Sequence, residues 1–229
     1  MSRKKEFIIY DFLIIVCIVL LLITGVKLFK IFYLANDEIN RIEELGISSA
    51  EDKGIDYAEE LSNVVIGVDG SASDSLVEYA SKYFLAIPYN IRNHYINNGW
   101  NVLLTNKDIK DTYYNGQVEG RVSGLIKFDT KITYIYASRY DVRNSLIHEF
   151  GHYLDWCCSW VSRSEEFLDI YNLEKGNLVD LWSDDGHDIS IEYEYFAESF
   201  SRYVLYGDKF IEECPMTYEF IKNCVDSFE

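Results

Sequence analysis

Apolar and polar positions along this chain follow three patterns in turn. Over residues 7–32 the apolar positions are nearly continuous, and residues 12–26 carry no charge. Such a run is long enough to cross a bilayer, whose hydrocarbon core takes roughly 20 helical residues. It follows Arg3-Lys4-Lys5, the kind of basic flank that holds an N-terminus in the cytoplasm. Asp11 is tolerable near the inner interface. Neither Ile23-Thr24-Gly25 nor Tyr33-Leu34-Ala35 makes a good cleavage site. Residues 1–35 are therefore read as an uncleaved, single-pass transmembrane signal anchor with the rest of the chain outside. Secretion after signal cleavage is the alternative.

Residues 36–61 are acidic and polar with weak helical periodicity, and residues 36–73 are expected to form a stalk or linker. From Asp74 the pattern turns globular. Leu76, Tyr79, Ala80, Tyr83 and Phe84 recur at helical spacing, and Pro88 opens a second helix through Tyr95 that ends at Asn98-Gly99. Three β-rich runs follow, at residues 100–105, 122–128 and 132–137, separated by Asn, Asp, Gly and Lys turns. Helices are predicted over residues 142–156 and over 189–205 with a stop at Tyr206-Gly207-Asp208. A last one spans 214–228 with Pro215 in its first turn. The expected fold class is α+β, one domain over residues 74–229 with a small twisted sheet, preceded by one N-terminal transmembrane helix.

Composition agrees with a packed domain, since 48% of residues are hydrophobic and only two are Pro. Residues 1–35 hold five of the 21 Lys/Arg and two of the 38 Asp/Glu, which leaves 16 against 36 and a net charge of −20 beyond them. So acidic a domain argues against nucleic acid or anionic lipid as its partner, and mildly favours cationic ones. Four cysteines lie beyond the apolar run: Cys157, Cys158, Cys214 and Cys224. No CxxC spacing occurs, which disfavours a cysteine zinc site. In an exported domain they can form disulfides, with Cys214 and Cys224 a candidate local loop.

Within the helix predicted over residues 142–156 lies His148-Glu149-Phe150-Gly151-His152, an HExxH sequence. Histidines four apart share one helical face, so both imidazoles reach one cation, and Glu149 stands close enough to take a proton from a water that the cation polarises. HExxH also arises by chance. Against that, only four histidines occur in the chain and two are here, and a third ligand is available downstream. On the helix predicted over 189–205, Glu194 and Glu198 lie one turn apart. Glu194 would complete a site for one Zn2+ per chain, and Glu198 could accept the second ring N–H of a liganding histidine. The other reading is that both are solvated helix carboxylates in an acidic chain. His94 lies in a helix away from the motif and reads as structural.

HEFGHYLD at 148–155 together with EYFAESF at 194–200 resembles the catalytic domain of anthrax lethal factor and the related secreted Pro-Pro endopeptidases of Gram-positive bacteria. The likeness extends over roughly residues 74–229, through IPYNIRNHYINNGWNVLLT and CPMTYEFI. It implies a zincin-like fold and a zinc endopeptidase of the gluzincin type acting on protein or peptide substrates. By that resemblance His148, His152 and Glu194 are the zinc ligands, Glu149 is the general base and Glu198 supports a ligand. The family has a tyrosine seven residues before the glutamate ligand, where its hydroxyl stabilises the oxyanion; here the position is His187. His187 can serve as the donor, or it is a loop histidine and Tyr193 or Tyr195 serves instead. Both tyrosines lie about 100° round the helix from Glu194, which favours His187. Peptidases of this architecture bind substrate along an edge strand, for which residues 122–128, with Gly120 and Gly124, are the candidate. A catalytically impaired zinc-binding or regulatory module on the same fold, and an intracellular toxin-like protease with a secretion signal, are the competing readings.

Overall fold

The computed structural model describes residues 24, 37–51, 53–114, 120–178, 189 and 191–227. It divides the chain after Arg41, and the second unit, Ile42–Glu229, holds all the elements that follow. The membrane segment expected over residues 7–32 lies outside the described residues except for Thr24. Among the described residues no helix is long and apolar enough to cross a membrane.

Most of the expected stalk is instead part of the folded unit. Residues 42–51 are helical, with Ile42 1% and Ala50 0% exposed and Leu45 packed against the core. Helix α1 (Tyr57–Asn63) and strand β1 (Ile66–Asp69) follow. Positions 42, 46 and 50 share one helical face, but Gly46 contributes no apolar side chain to it, and Glu43, Glu44 and Glu51 dominate the segment's composition. Arg92 ties this region down. Its guanidinium, 1% exposed, makes a bidentate pair with Glu60 (both 2.8 Å) and donates to Ser49 Oγ and the carbonyls of Leu85 and Ile87. Glu60→Ala leaves a buried cation without its counter-charge and should lower unfolding free energy by about 3 kcal/mol in urea titration; a stalk residue would change it negligibly.

Strand β1 pairs in parallel with β2 (Asn101–Thr105), and β2 in parallel with β4 (Ile132–Tyr136). Strand β3 (Gly124–Lys127) runs antiparallel to β4, so the order β1-β2-β4-β3 leaves β3 at an edge. Helices α2 (Asp74–Ala86), capped by Ser73, and α3 (Tyr89–Asn97) precede β2, and the short α4 (Ile109–Tyr113) follows it. Helix α5 (Arg139–Cys157) is buried along most of its length, with Val142, Leu146, Ile147, Phe150 and Leu154 in the core. A 3-10 turn (Val161–Arg163) and α6 (Glu165–Glu174) come next, then α7 (Glu192–Glu213) and α8 (Pro215–Asp226).

Helix α7 outruns its predicted stop, but the stop leaves a mark: Tyr206 has non-helical φ −138° and ψ 32°, a kink between two helical pieces. Helix α8 starts where Pro215 placed it, with the buried Glu174 carboxylate accepting from the amides of Met216 and Thr217 and from the Thr217 hydroxyl. None of Cys157, Cys158, Cys214 and Cys224 is in a disulfide. Cys214 donates to the Glu174 carbonyl at 3.9 Å, while the Cys158 thiol beside Cys224, together with burial, pushes the Cys224 pKa up. The local Cys214–Cys224 loop expected from spacing is absent.

Candidate active site

Helix α5 carries His148, Glu149 and His152, and its start is fixed by Ser138, whose hydroxyl accepts from the Asp141 amide at 3.1 Å. Helix α7 lies against it. The approach depends on Gly151, where an added Cβ would stand 2.6 Å from Ala197 Cα and 2.8 Å from its carbonyl oxygen. Because the backbones come this close, Glu194 in the first turn of α7 reaches the two histidines. Glu194 Oε2 lies 3.1 Å from His148 Nε2 and 3.5 Å from His152 Nε2, and one ligand atom of each residue falls within 4.8 Å of the others. Nitrogen and oxygen atoms about 2.0–2.1 Å from a tetrahedral zinc are separated by about 3.3 Å. The cluster therefore has the chemistry and the spacing of a three-ligand zinc site.

The Glu149 carboxylate meets the sheet edge and lines the same cleft as His152 and Glu194. Its Oε2 accepts from the Ile126 amide at 2.9 Å. Tyr136 donates to the Ser123 carbonyl, and antiparallel alternation then turns the Leu125 and Lys127 amides to β4 and those of Gly124 and Ile126 to the free edge. The predicted edge strand is thus at an edge, and its open side meets the carboxylate. A Cβ on Gly124 would fall 2.6 Å from Glu149 Oε1, so only glycine lets strand and carboxylate come this close. Burial raises the Glu149 pKa above the ordinary carboxylate value, against the pull of His152 and His148.

Behind His148, Glu198 Oε2 lies 3.5 Å from its Nδ1, and the other Glu198 oxygen accepts from Arg202 Nε at 3.1 Å. Burial works against a charged His148, but hydrogen bonds to Glu194 and Glu198 and the field of Glu149 outweigh it and hold its pKa up, at about 10. Burial likewise opposes a charged Glu194, and the two histidines overcome it and bring its pKa well below the usual range. A divalent cation must displace the His148 proton. In chelator-stripped protein, apparent zinc affinity should therefore rise about tenfold per pH unit between pH 6 and 8, with proton release measurable by calorimetry in buffers of different ionisation enthalpy. Since the His148 value is raised and that of Glu194 lowered, the pair's contribution to metal-free stability is complete between about pH 4.5 and 6.5, is lost as pH rises toward 10, and is lost also as Glu194 protonates at low pH.

The cleft in front of these groups has a volume of about 320 Å3; Leu125, Phe128, Trp160, Arg163 and Tyr193 are among its lining residues. Tyr193 stands beside His152, ring centroids 6.0 Å apart, so its position one residue before Glu194 does not carry it out of the site. Tyr195 does turn away, buried and hydrogen-bonded to Thr217. His187 lies outside the described residues. His94 shares a 2.7 Å hydrogen bond with Tyr153, apart from the ligand cluster. Sequence reading missed Trp160 and Arg163, which sit on a turn that carries no glycine signal.

Residues 55–224 match the family model described as anthrax toxin lethal factor, N- and C-terminal domain. Among solved structures, the Pro-Pro endopeptidase PPEP-2 from Paenibacillus alvei is similar, with a TM-score of 0.55 and 23% identity over 71% of this chain and 98% of that one. That degree of likeness shows a shared fold. No curated protein matches the chain.

Proposed function

We propose that this chain, which belongs to the anthrax toxin lethal factor domain family, is a zinc-dependent endopeptidase. The observation that carries the reading is the convergence of His148, His152 and Glu194 beside a Glu149 carboxylate that faces an open strand edge. Zinc held by the three ligands supplies Lewis acidity, which lowers the pKa of water and polarises a carbonyl oxygen. Glu149 takes the proton of the attacking water and passes it to the leaving amine. Its raised pKa makes it a stronger base than an exposed carboxylate. With Oε2 held by the Ile126 amide, the oxygen over Gly124 is the one that carries the proton. Glu198 fixes the His148 ring through Nδ1.

The substrate backbone lies along β3, where Gly124 and the Ile126 carbonyl offer hydrogen bonds. Gly124→Ala tests this packing. The new Cβ must push Glu149 aside, so kcat should fall by about 10²-fold while bound zinc, measured by atomic absorption, stays at the wild-type level. The donor to the developing oxyanion is assigned by kinship to His187, and Tyr193 is the described hydroxyl nearest that task. His187→Ala and Tyr193→Phe, assayed side by side, separate them: loss of the donor lowers kcat by about 10²-fold, and loss of the other group leaves it within a factor of a few. The apolar run at residues 7–32 supports an anchored arrangement with this domain outside the cell membrane.

The test of the reading is a peptide library incubated with the zinc-loaded chain, with and without chelator, with products identified by mass spectrometry. Zinc-dependent internal cleavage is expected. Intact peptides at stoichiometric zinc would overturn it.

A further inference from the structure

Helix α5 does not end freely. After Cys157 the chain doubles back through Ser159 and Trp160, two consecutive non-glycine residues in the left-handed region (φ 62° and 61°). Each such residue costs roughly 1–2 kcal/mol, so the turn forms only where its surroundings impose it. Here they do. Asp155, wholly buried and one turn beyond His152, accepts from the Ser162 amide (2.8 Å) and hydroxyl (2.7 Å), while its own carbonyl accepts from the Trp160 amide (2.7 Å). The Arg163 amide then closes on the Trp160 carbonyl at 3.0 Å.

This clamp places two side chains on the cleft. Trp160 packs edge-on against Phe128 just past strand β3, with centroids 5.3 Å apart. The Arg163 guanidinium lies over the Trp160 ring at 5.3 Å. Arg163 is exposed and is the one Lys or Arg among the described residues lining the cleft; its charge is felt by the buried Asp155 carboxylate, but no salt bridge joins it to a carboxylate among the described residues. In a chain of net charge −17, an arginine set at the cleft by this clamp, stacked on an aromatic ring and in no salt bridge with a carboxylate among the described residues, is suited to meet an anionic group of a substrate.

We propose that Arg163, backed by Trp160, recognises a carboxylate on the substrate, so that the preferred substrates are peptides with an acidic group seated beside the aromatic wall at the end of β3. The inference rests on the endopeptidase reading for its substrate class. The carboxylate is supplied by an Asp or Glu side chain or by a free chain end, and peptides with amidated C-termini distinguish the two sources.

The full-length, zinc-loaded chain is assayed on decapeptide pools in which Glu or Asp replaces Gln or Asn at each position, with amidated and with free C-termini. The expected result is a kcat/KM about tenfold higher for the acidic peptides. That preference should vanish in Arg163→Ala and turn toward Lys-containing peptides in Arg163→Glu. A preference confined to free C-termini identifies the chain end as the source and supports the same contact. Equal rates for acidic and amide peptides, or a preference that persists in Arg163→Ala, overturn the inference.

A peptide array probed with Glu149→Ala protein, with and without Arg163→Ala, separates this from the endopeptidase reading. Arg163-dependent retention of acidic peptides without any cleavage by wild type would leave the contact standing and remove the peptidase. Cleavage without acid preference would do the reverse.

Discussion

Glu149→Ala should lower turnover by about 10³-fold and leave one zinc per chain. A general base of this kind contributes roughly 10²–10⁴-fold. The carboxylate is not among the three ligand groups, and its two oxygens lie against the Ile126 amide and Gly124. Glu149→Gln sharpens the expectation. The amide keeps an oxygen to accept from the Ile126 amide and nearly the same volume, yet it cannot take a proton, so its turnover should fall as far as that of the alanine variant. Both variants should unfold at or above the wild-type temperature, because each removes a carboxyl group whose charged form burial disfavours. A zinc-free Glu149→Gln protein would place Glu149 in the ligand set and contradict the assignment.

The second large effect is expected at Gly151→Ala, a single methyl group. It would meet the Cα, carbonyl oxygen and carbonyl carbon of Ala197 at 2.6, 2.8 and 3.1 Å. All three are backbone atoms, so no rotamer change relieves the clash and α7 itself must move. Overpacking of this kind costs about 3 kcal/mol. Glu194 travels with α7, so zinc binding should weaken by about 10–100-fold, a loss of the size seen when ligand orientation is disturbed. Denaturant titration and a competitive zinc indicator measure the two effects. Ala197→Gly should not rescue the variant, since the obstructing atoms remain. Rescue would mean that the helices meet through side chains after all.

The parts of this arrangement that sequence made legible share a property: each is local. His148, Glu149 and His152 are read from one turn of helix, and Glu194 from the next apolar-periodic segment together with the family likeness. Pro215 and the Tyr206-Gly207 break announce their helix ends through backbone chemistry that any neighbour would respect. What stayed hidden depends on partners distant in sequence. Residues 42–51 look like a solvated acidic stretch until Ile42 and Ala50 are seen in the core and Glu60 on Arg92.

Strand β1 is four residues with a glycine in it, too short to stand out until it pairs with Asn101–Thr105. That a strand lies within residues 122–128 is legible, but that Gly124–Lys127 is an edge strand follows only from the pairing order. The Trp160–Arg163 wall is hidden for a different reason. Left-handed backbone normally advertises itself with glycine, and here Asp155 imposes it on Ser159 and Trp160 instead. Helix α6 was legible in principle, with Ser164 as its cap and Glu165-Glu166 in the first turn.

One comparison of cleavage tests the metal, the base and the endopeptidase activity together. Full-length chain loaded with zinc, the same chain stripped by chelator, the stripped chain given zinc again, and Glu149→Ala are each incubated with a proteome-derived peptide library, and new internal termini are counted by mass spectrometry. New termini are predicted in the first and third samples and none above background in the second and fourth. Equal cleavage in all four would contradict the metal, the base and the endopeptidase assignment together.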